Sequence, residues 1–374
     1  MSQLFELAFL FDIPNFFICV VTVIFVSNWA KLPANYRIIL IGHCLVPFFL
    51  NDVLIPISLI PDQSSYTTTV QGIRGEWWDY SGENHISIIA SSWMLSAIPL
   101  PYVETIQSLG FFNKFLFIVL FGFLYKKQIL NSYSAYFFLL YPSFVFYSAL
   151  SLRDMLIFLC MILVTYHSVK RNFLRAIIWM APLLLIKPQN FLLISPLLLY
   201  LIFNLSKHGL SVRSAIISIS VGFGALLSLF SFAIPFINYY RVALYREDGG
   251  QSIHDIELIN NVSDLIYMGL KNGFYFIFKP FPWEANNLVQ LIQSIENIAV
   301  LYLIVMLSWV AYKTNVRQFT FWVALFIFSM SIYGLVVFNF GTAARYRFPF
   351  ILIYIIFVCY SCGVNPLNKK TKSL

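Results

Sequence analysis

Arginine binds phosphate through a planar two-toothed fork, and lysine binds it as a point charge. Of the 24 Lys and Arg residues, fourteen lie in short connections between apolar runs or at the C-terminus. The other ten are Arg74, Lys114, Arg153, Lys187, Arg241, Arg246, Lys271, Lys279, Arg345 and Arg347. Several of these sit beside apolar runs. Arg153 and Asp154 end a tight turn at 151–154, Lys187 and Pro188 fill another, and Arg345 and Arg347 open the last run. One expectation is local pairing, Arg153 with Asp154 and Arg241 or Arg246 with Glu247 or Asp248. The other is an arginine-lined anion pocket of a kind that suits a lipid diphosphate.

The acids point the same way. Asp79 and Glu83 lie in the segment 75–83, and Glu284 follows Lys279–Pro280–Phe281–Pro282–Trp283. A carboxylate can take the proton of an attacking sugar hydroxyl. Trp77, Trp78 and Trp283 stand next to these acids and offer rings on which sugars stack. Such tryptophans also form the aromatic belt of membrane proteins, so both roles stay open. Glu296 falls within an apolar run.

No other chemistry is indicated. Cys19, Cys44, Cys160, Cys359 and Cys362 lie mostly inside apolar runs without metal-ligand spacing. His43, His85, His167, His208 and His254 are scattered. There is no phosphate-binding loop and no dinucleotide fingerprint. The expectation is therefore no metal, no cofactor and no nucleic-acid partner.

The elements that must position these groups follow from composition. Hydrophobic residues make up 60% of the 374 residues and charged residues 11%, with mean hydropathy +0.79. A soluble domain is about a quarter charged. Disorder needs the opposite balance. A β-barrel needs short alternating strands rather than long runs. The fold class expected is all-α, a polytopic membrane protein forming one domain over 1–374. Apolar runs at 4–26, 38–60, 109–125, 129–150, 155–167, 174–186, 191–203, 215–237, 288–310, 319–338 and 348–362 predict about eleven spans. The fifth to seventh are short. Without a basic leader segment or cleavage site, the first run is expected to remain as a span.

Every second connection is basic and free of acids, from Lys31 and Arg37 to Lys313 and Arg317, and Lys369, Lys370 and Lys372 close the chain. The positive-inside rule makes these connections cytoplasmic, with the N-terminus outside and the C-terminus inside. Two large outer loops result, at about 61–108 and 238–287. Each is expected to carry a helix lying in the membrane interface, at 86–98 and at 262–278. No internal repeat of the kind found in many transporters is seen.

Four segments in order carry a family resemblance. Gly341–Thr342–Ala343–Ala344–Arg345–Tyr346–Arg347–Phe348–Pro349–Phe350 is similar to a pattern in Wzy-type polymerases of bacterial surface polysaccharide. Tyr141–Pro142–Ser143 with Ser151–Leu152–Arg153–Asp154 resembles another motif of these proteins. Lys187–Pro188 and Lys279–Pro280–Phe281–Pro282–Trp283 resemble two more. The likeness runs from Tyr141 to the end, and the N-terminal third matches in layout only.

The resemblance implies a GT-C-like glycosyltransferase of the bacterial inner membrane. It would join undecaprenyl-diphosphate-linked oligosaccharide repeat units at the outer face, with membrane lipid around it and a chain-length regulator as a candidate partner. On that basis Arg345 and Arg347 hold the donor diphosphate, and Arg153 and Lys187 enclose it. Arg241 and Arg246 hold the acceptor or gate its entry. Arg74, Lys279, Trp283 and Tyr346 join the substrate-binding set. Asp79, Glu83, Asp154 or Glu284 serves as base.

Rival expectations are an O-antigen ligase, whose large outer loop would use His254, and a GT-C enzyme using a lipid monophosphate sugar. A lipid-linked glycan flippase or transporter belongs to a different class and would need charged or broken helices near mid-membrane. A membrane acyltransferase would want a deep histidine.

Overall fold

A computed structural model describes residues 2–51, 53–77, 80, 82, 84–198, 234–246, 256–285 and 287–365, with side chains from Leu10 onward. The described chain is all-helical, without strands. Among the described residues, five helices are long and apolar enough to cross a membrane. They are α1 (Ser2–Ala30), α5 (Ile106–Lys126), α13 (Leu288–Thr314), α14 (Val316–Val336) and α15 (Phe340–Cys362). At 1.5 Å per residue, the 21 residues of α5 span about 31 Å, the thickness of the hydrocarbon layer. Shorter apolar helices are α2 (Ala34–Leu50), α4 (Ile86–Ser96), α8 (Asp154–Val169) and α9 (Phe173–Ile186). The remaining helices are α3 (Asp62–Glu76), α6 (Ser132–Leu140), α7 (Pro142–Tyr147), α10 (Pro188–Ile194), α11 (234–246) and α12 (Val262–Phe278). On α1, Phe17, Val21 and Phe25 are exposed one turn apart, the stripe that a lipid-facing helix presents. The chain is a helical membrane protein.

The expected runs meet different fates. Those at 4–26, 109–125, 288–310, 319–338 and 348–362 become full-length helices. The run at 38–60 gives the 17-residue α2, followed by non-helical chain and a short 3-10 turn at Ile57–Leu59. Those at 155–167 and 174–186 give α8 and α9. The run at 191–203 begins within α10, and the run at 215–237 lies almost wholly outside the described residues.

The run at 129–150 is not one helix. Asn131 caps α6, accepting from the Ser134 N–H at 2.9 Å while Ser134 Oγ accepts from the Asn131 N–H at 3.0 Å. The helix stops at Tyr141 because Pro142 has no N–H to continue it, and Pro142 instead opens α7.

Two compact units divide the chain, 1–195 with 365–374, and 196–364. In the first, α1 packs on α5 and α2, α3 on α4, and α8 on α9. A non-helical strap at 148–153 joins α7 to α8, and 148–152 is fully buried. Buried irregular backbone must find partners inside the protein. Here side-chain amides supply them. Asn51 Nδ2 donates to the Ala149 carbonyl at 2.9 Å, and Asn113 Nδ2 to those of Leu150 and Leu152 at 2.6 and 2.7 Å. The Ser151 N–H donates to Gln63 Oε1 at 3.1 Å. Gly110 lets α5 approach, since a Cβ there would stand 2.4 Å from the Ala149 oxygen.

In the second unit, α12 occupies the expected residues 262–278 and packs closely on α14. Gly269 and Gly273, four residues apart, face Ser331 on α14. A Cβ on Gly334 would stand 2.5 Å from Asn272 and Gly273 backbone atoms. This is the small-residue seam by which membrane helices touch backbone to backbone. This helix, expected to lie in the membrane interface, is docked on the spanning-length α14.

Candidate functional site

Each α-helix leaves its last four carbonyls without an intrahelical donor, and its C-terminal end carries partial negative charge. In an apolar protein water does not reach all of these groups. Buried basic side chains do, and this is where much of the unusual positive charge is placed.

Arg347, on α15, is 1% exposed. Its Nη1 donates to the carbonyls of Phe276, Ile277 and Lys279 at 3.1, 2.9 and 3.1 Å, and its Nη2 donates to Asn297 Oδ1. Asn297 Nδ2 donates at 3.1 Å to each of the Phe278 and Lys279 carbonyls. Together the two side chains satisfy the last carbonyls of α12. Pro280, joined to Lys279 by a cis bond, has no N–H to offer them. Arg347 was expected on a diphosphate; the hydrogen bonds observed for it go to backbone carbonyls and to Asn297.

Arg241, on α11, is 2% exposed. It donates to the Leu335 carbonyl at the end of α14 and to the Glu257 carbonyl at 2.9 Å, and it lies over the Phe338 ring. Arg74, on α3, donates to Ser96 at 3.2 and 3.0 Å, to Ile98 at 2.7 Å and to Leu100 at 2.5 Å, closing the end of α4. Phe112 covers its guanidinium at 4.7 Å, and burial lowers its pKa from the ordinary arginine value. For Arg241 and Arg74 too, the observed partners are carbonyls.

Lys114 follows the same rule deeper in α5. Fully buried, its Nζ donates to the Val145 carbonyl in the last turn of α7 at 3.1 Å and to Ser148 Oγ at 2.8 Å, and lies 3.3 Å from His43 Nδ1. His43 stacks on Phe117, and its Nε2 lies 2.8 Å from the Leu139 carbonyl at the end of α6. The opposite charge serves the opposite end. Asp12, buried in α1, accepts from Thr105 Oγ1 and from Ser108 Oγ at 2.7 Å at the N-terminus of α5.

The remaining expected residues lie on or beside α8 to α11 and α15. Arg153 donates to the Ser87 carbonyl at 3.0 Å and lies over Tyr66. Asp154 is buried in the first turn of α8, where a carboxylate favours the helix dipole. Lys187 links α9 to α10 and is half-buried. Arg345 and Tyr346 are half-buried on α15, and Tyr346 lies 5.2 Å from the Tyr333 ring. Two residues along a helix turn about 200°, so Arg345 leaves α15 on a side well away from Arg347. Arg246 is exposed at the end of α11. Trp78, Asp79, Glu83, Glu247, Asp248 and His254 lie outside the described residues.

One expected cluster does assemble. Lys279 Nζ and Glu284 Oε1 are 3.2 Å apart, and Glu284 Oε2 accepts from the Phe281 N–H at 3.1 Å. The Phe281 and Trp283 rings are parallel within 5°, with centroids 4.9 Å apart. Trp283 is 78% exposed. A carboxylate fixed by two donors thus follows directly on an exposed tryptophan in the chain. Among the described residues no group of His, Cys, Asp and Glu could hold a metal ion.

Asp12, Asn51, Gln63, Asn113 and Asn297 were not singled out from sequence, and His43 was read only as one of five scattered histidines, although a polar residue inside an apolar run is the signal that marks most of them. Compared with known proteins, the chain matches no family model, and no curated sequence or solved structure is significantly similar to it.

Proposed function

We propose that the protein is a membrane glycosyltransferase of the Wzy type. In this proposal it joins undecaprenyl-diphosphate-linked oligosaccharide units at the outer face of the bacterial inner membrane. The observation that carries the proposal is the Lys279–Glu284 pair beside the parallel rings of Phe281 and exposed Trp283. An aromatic face binds a sugar ring, and a carboxylate next to it can take the proton of the attacking hydroxyl. The acceptor oxygen then bonds to the anomeric carbon of the donor, and the bond from that carbon to the diphosphate oxygen breaks. Arg345, half-buried on α15, is the arginine proposed to meet the leaving diphosphate. The test is the surface glycan and the lipid-linked pool of a deletion strain. Single repeat units on the core, with lipid-linked single units accumulating, support polymerisation. Long polymer still on its lipid diphosphate indicates a ligase, and an unchanged glycan removes the proposal.

A second reading rests on its own observation. Buried Lys114 and His43 stand where α6 and α7 break, and broken helices beside buried ionisable groups are features of transporters. Lipid-linked units trapped on the cytoplasmic face of the deletion strain would favour a glycan flippase.

A further inference from the structure

A cavity of about 600 Å³ opens where α1 ends, α2 begins, α5 ends and α6 begins. Lys31, Lys126, Gln128 and Ser132 give it polar walls, and Trp29 and Tyr125 give it aromatic ones. Among the described residues, none that lines it is a carboxylate. Among the described residues, neither Lys31 nor Lys126 is in an ion pair. The Lys126 ammonium lies 3.9 Å from the centre of the Trp29 ring, which holds it at the cavity while leaving its charge unneutralised.

The backbone adds an independent indication. Lys31 and Gln128 follow helix ends with φ of 54° and 55°. Glycine is the residue that adopts this conformation without strain. Two long polar side chains at such positions, both lining one cavity, point to a use for the side chains. The surroundings are those of a lipid. Phe25 on α1 is 70% exposed and Ile38 on α2 is 69% exposed, so apolar surface suited to acyl chains flanks the basic mouth. These are also connections that the positive-inside rule assigns to the cytoplasmic face, where basic pockets between spanning helices hold anionic headgroups.

We propose that this cavity binds the phosphate headgroup of an anionic phospholipid, with Lys31 and Lys126 as its charge partners. The assignment is independent of the glycosyltransferase proposal.

The test is native mass spectrometry of the purified full chain, titrated with phosphatidylglycerol and with phosphatidylcholine. Wild type should retain phosphatidylglycerol in preference. Lys31→Gln with Lys126→Gln should weaken retention by about fivefold for each lysine, with phosphatidylcholine unaffected. Lys127→Gln, next in sequence but outside the lining, should change nothing. Gln128→Glu places a carboxylate in the wall at equal volume and should also expel the lipid, which decides the matter if the double variant does not fold. Equal retention by wild type and Gln128→Glu overturns the proposal. Displacement of the bound lipid by millimolar inorganic phosphate overturns the lipid assignment in favour of a free phosphate site.

Discussion

Replacing Arg347 by methionine separates a clamp from a phosphate ligand. Methionine keeps an unbranched stem and is uncharged, so packing along the stem is preserved while all donors are lost. Three acceptors then lose their partner, the carbonyls of Phe276 and Ile277 and Asn297 Oδ1. No helical N–H can replace it, because residue 280 is proline and the Phe281 N–H is bonded to Glu284. The Lys279 carbonyl keeps Asn297. An orphaned buried acceptor costs about 1–3 kcal/mol, so three cost about 3 kcal/mol at the low end. Allowing local relaxation, the expected loss is about 3–5 kcal/mol. At about 2 °C per kcal/mol for a large chain, the melting midpoint should fall by ~6–10 °C. The assay is thermal unfolding of the detergent-purified protein, followed by fluorescence-detected size exclusion. Lysine at 347 should recover less than half, since an ammonium cannot reach three carbonyls at once. In Asn297→Ala combined with Arg347→Met the Lys279 carbonyl loses both of its donors, whereas each single variant leaves it one, so the double variant should fall below either single one and the two losses should not simply add. An unchanged midpoint and protein level in Arg347→Met, with polymer lost, would refute the clamp and restore Arg347 as a ligand.

Other expectations are as definite. Arg345→Ala should abolish polymer without lowering protein level, and normal chain length in that variant would sink its assignment to the diphosphate. Trp283→Ala should move stability by less than about 0.5 kcal/mol, as for other exposed sites, yet shorten the glycan on a gel if the ring holds acceptor sugar. Gly334→Ala should lower the melting midpoint through about 1–3 kcal/mol of overpacking against Asn272 and Gly273. Gly42→Ala, with nothing within 4 Å of the new Cβ, should raise stability by up to about 1 kcal/mol in the same assay.

The long helices were legible because twenty apolar residues in a row have few other uses. The extent of α12 was legible too, from its amphipathic pattern over 262–278. Its docking was also written there, in Gly269 and Gly273 four residues apart, but amphipathicity alone suggests a flat helix. The break at Tyr141–Pro142 was hidden inside a continuous apolar run, since hydropathy counts proline as one more residue and not as a missing N–H. The destinations of Arg74, Arg241 and Arg347 were illegible for a deeper reason. A basic residue seeks negative charge, and in sequence only Asp and Glu advertise it. A backbone carbonyl has no letter, so the partner with the strongest claim on a buried guanidinium never shows in the alphabet. The Lys279–Glu284–Trp283 cluster was legible because it is local, all within six residues.

The strap at 148–153 bears on how the protein is made. Each side chain that reads it, Asn51, Gln63, Asn113 and Lys114, precedes it in the chain. A ribosome delivers residues from the N-terminus onward. When the strap leaves the exit tunnel, the amides that must receive it are already synthesised, and its bare backbone can pass from the insertion machinery into a prepared polar slot. The end of α12 has the reverse schedule. Its carbonyls at 276–279 precede both Asn297 and Arg347, so that helix must wait about seventy residues for its last donor. During that interval its terminus has to be sheltered by water, lipid headgroups or the translocation machinery. The first half of the molecule can therefore settle as it is born, whereas the second can settle only once α15 has been delivered.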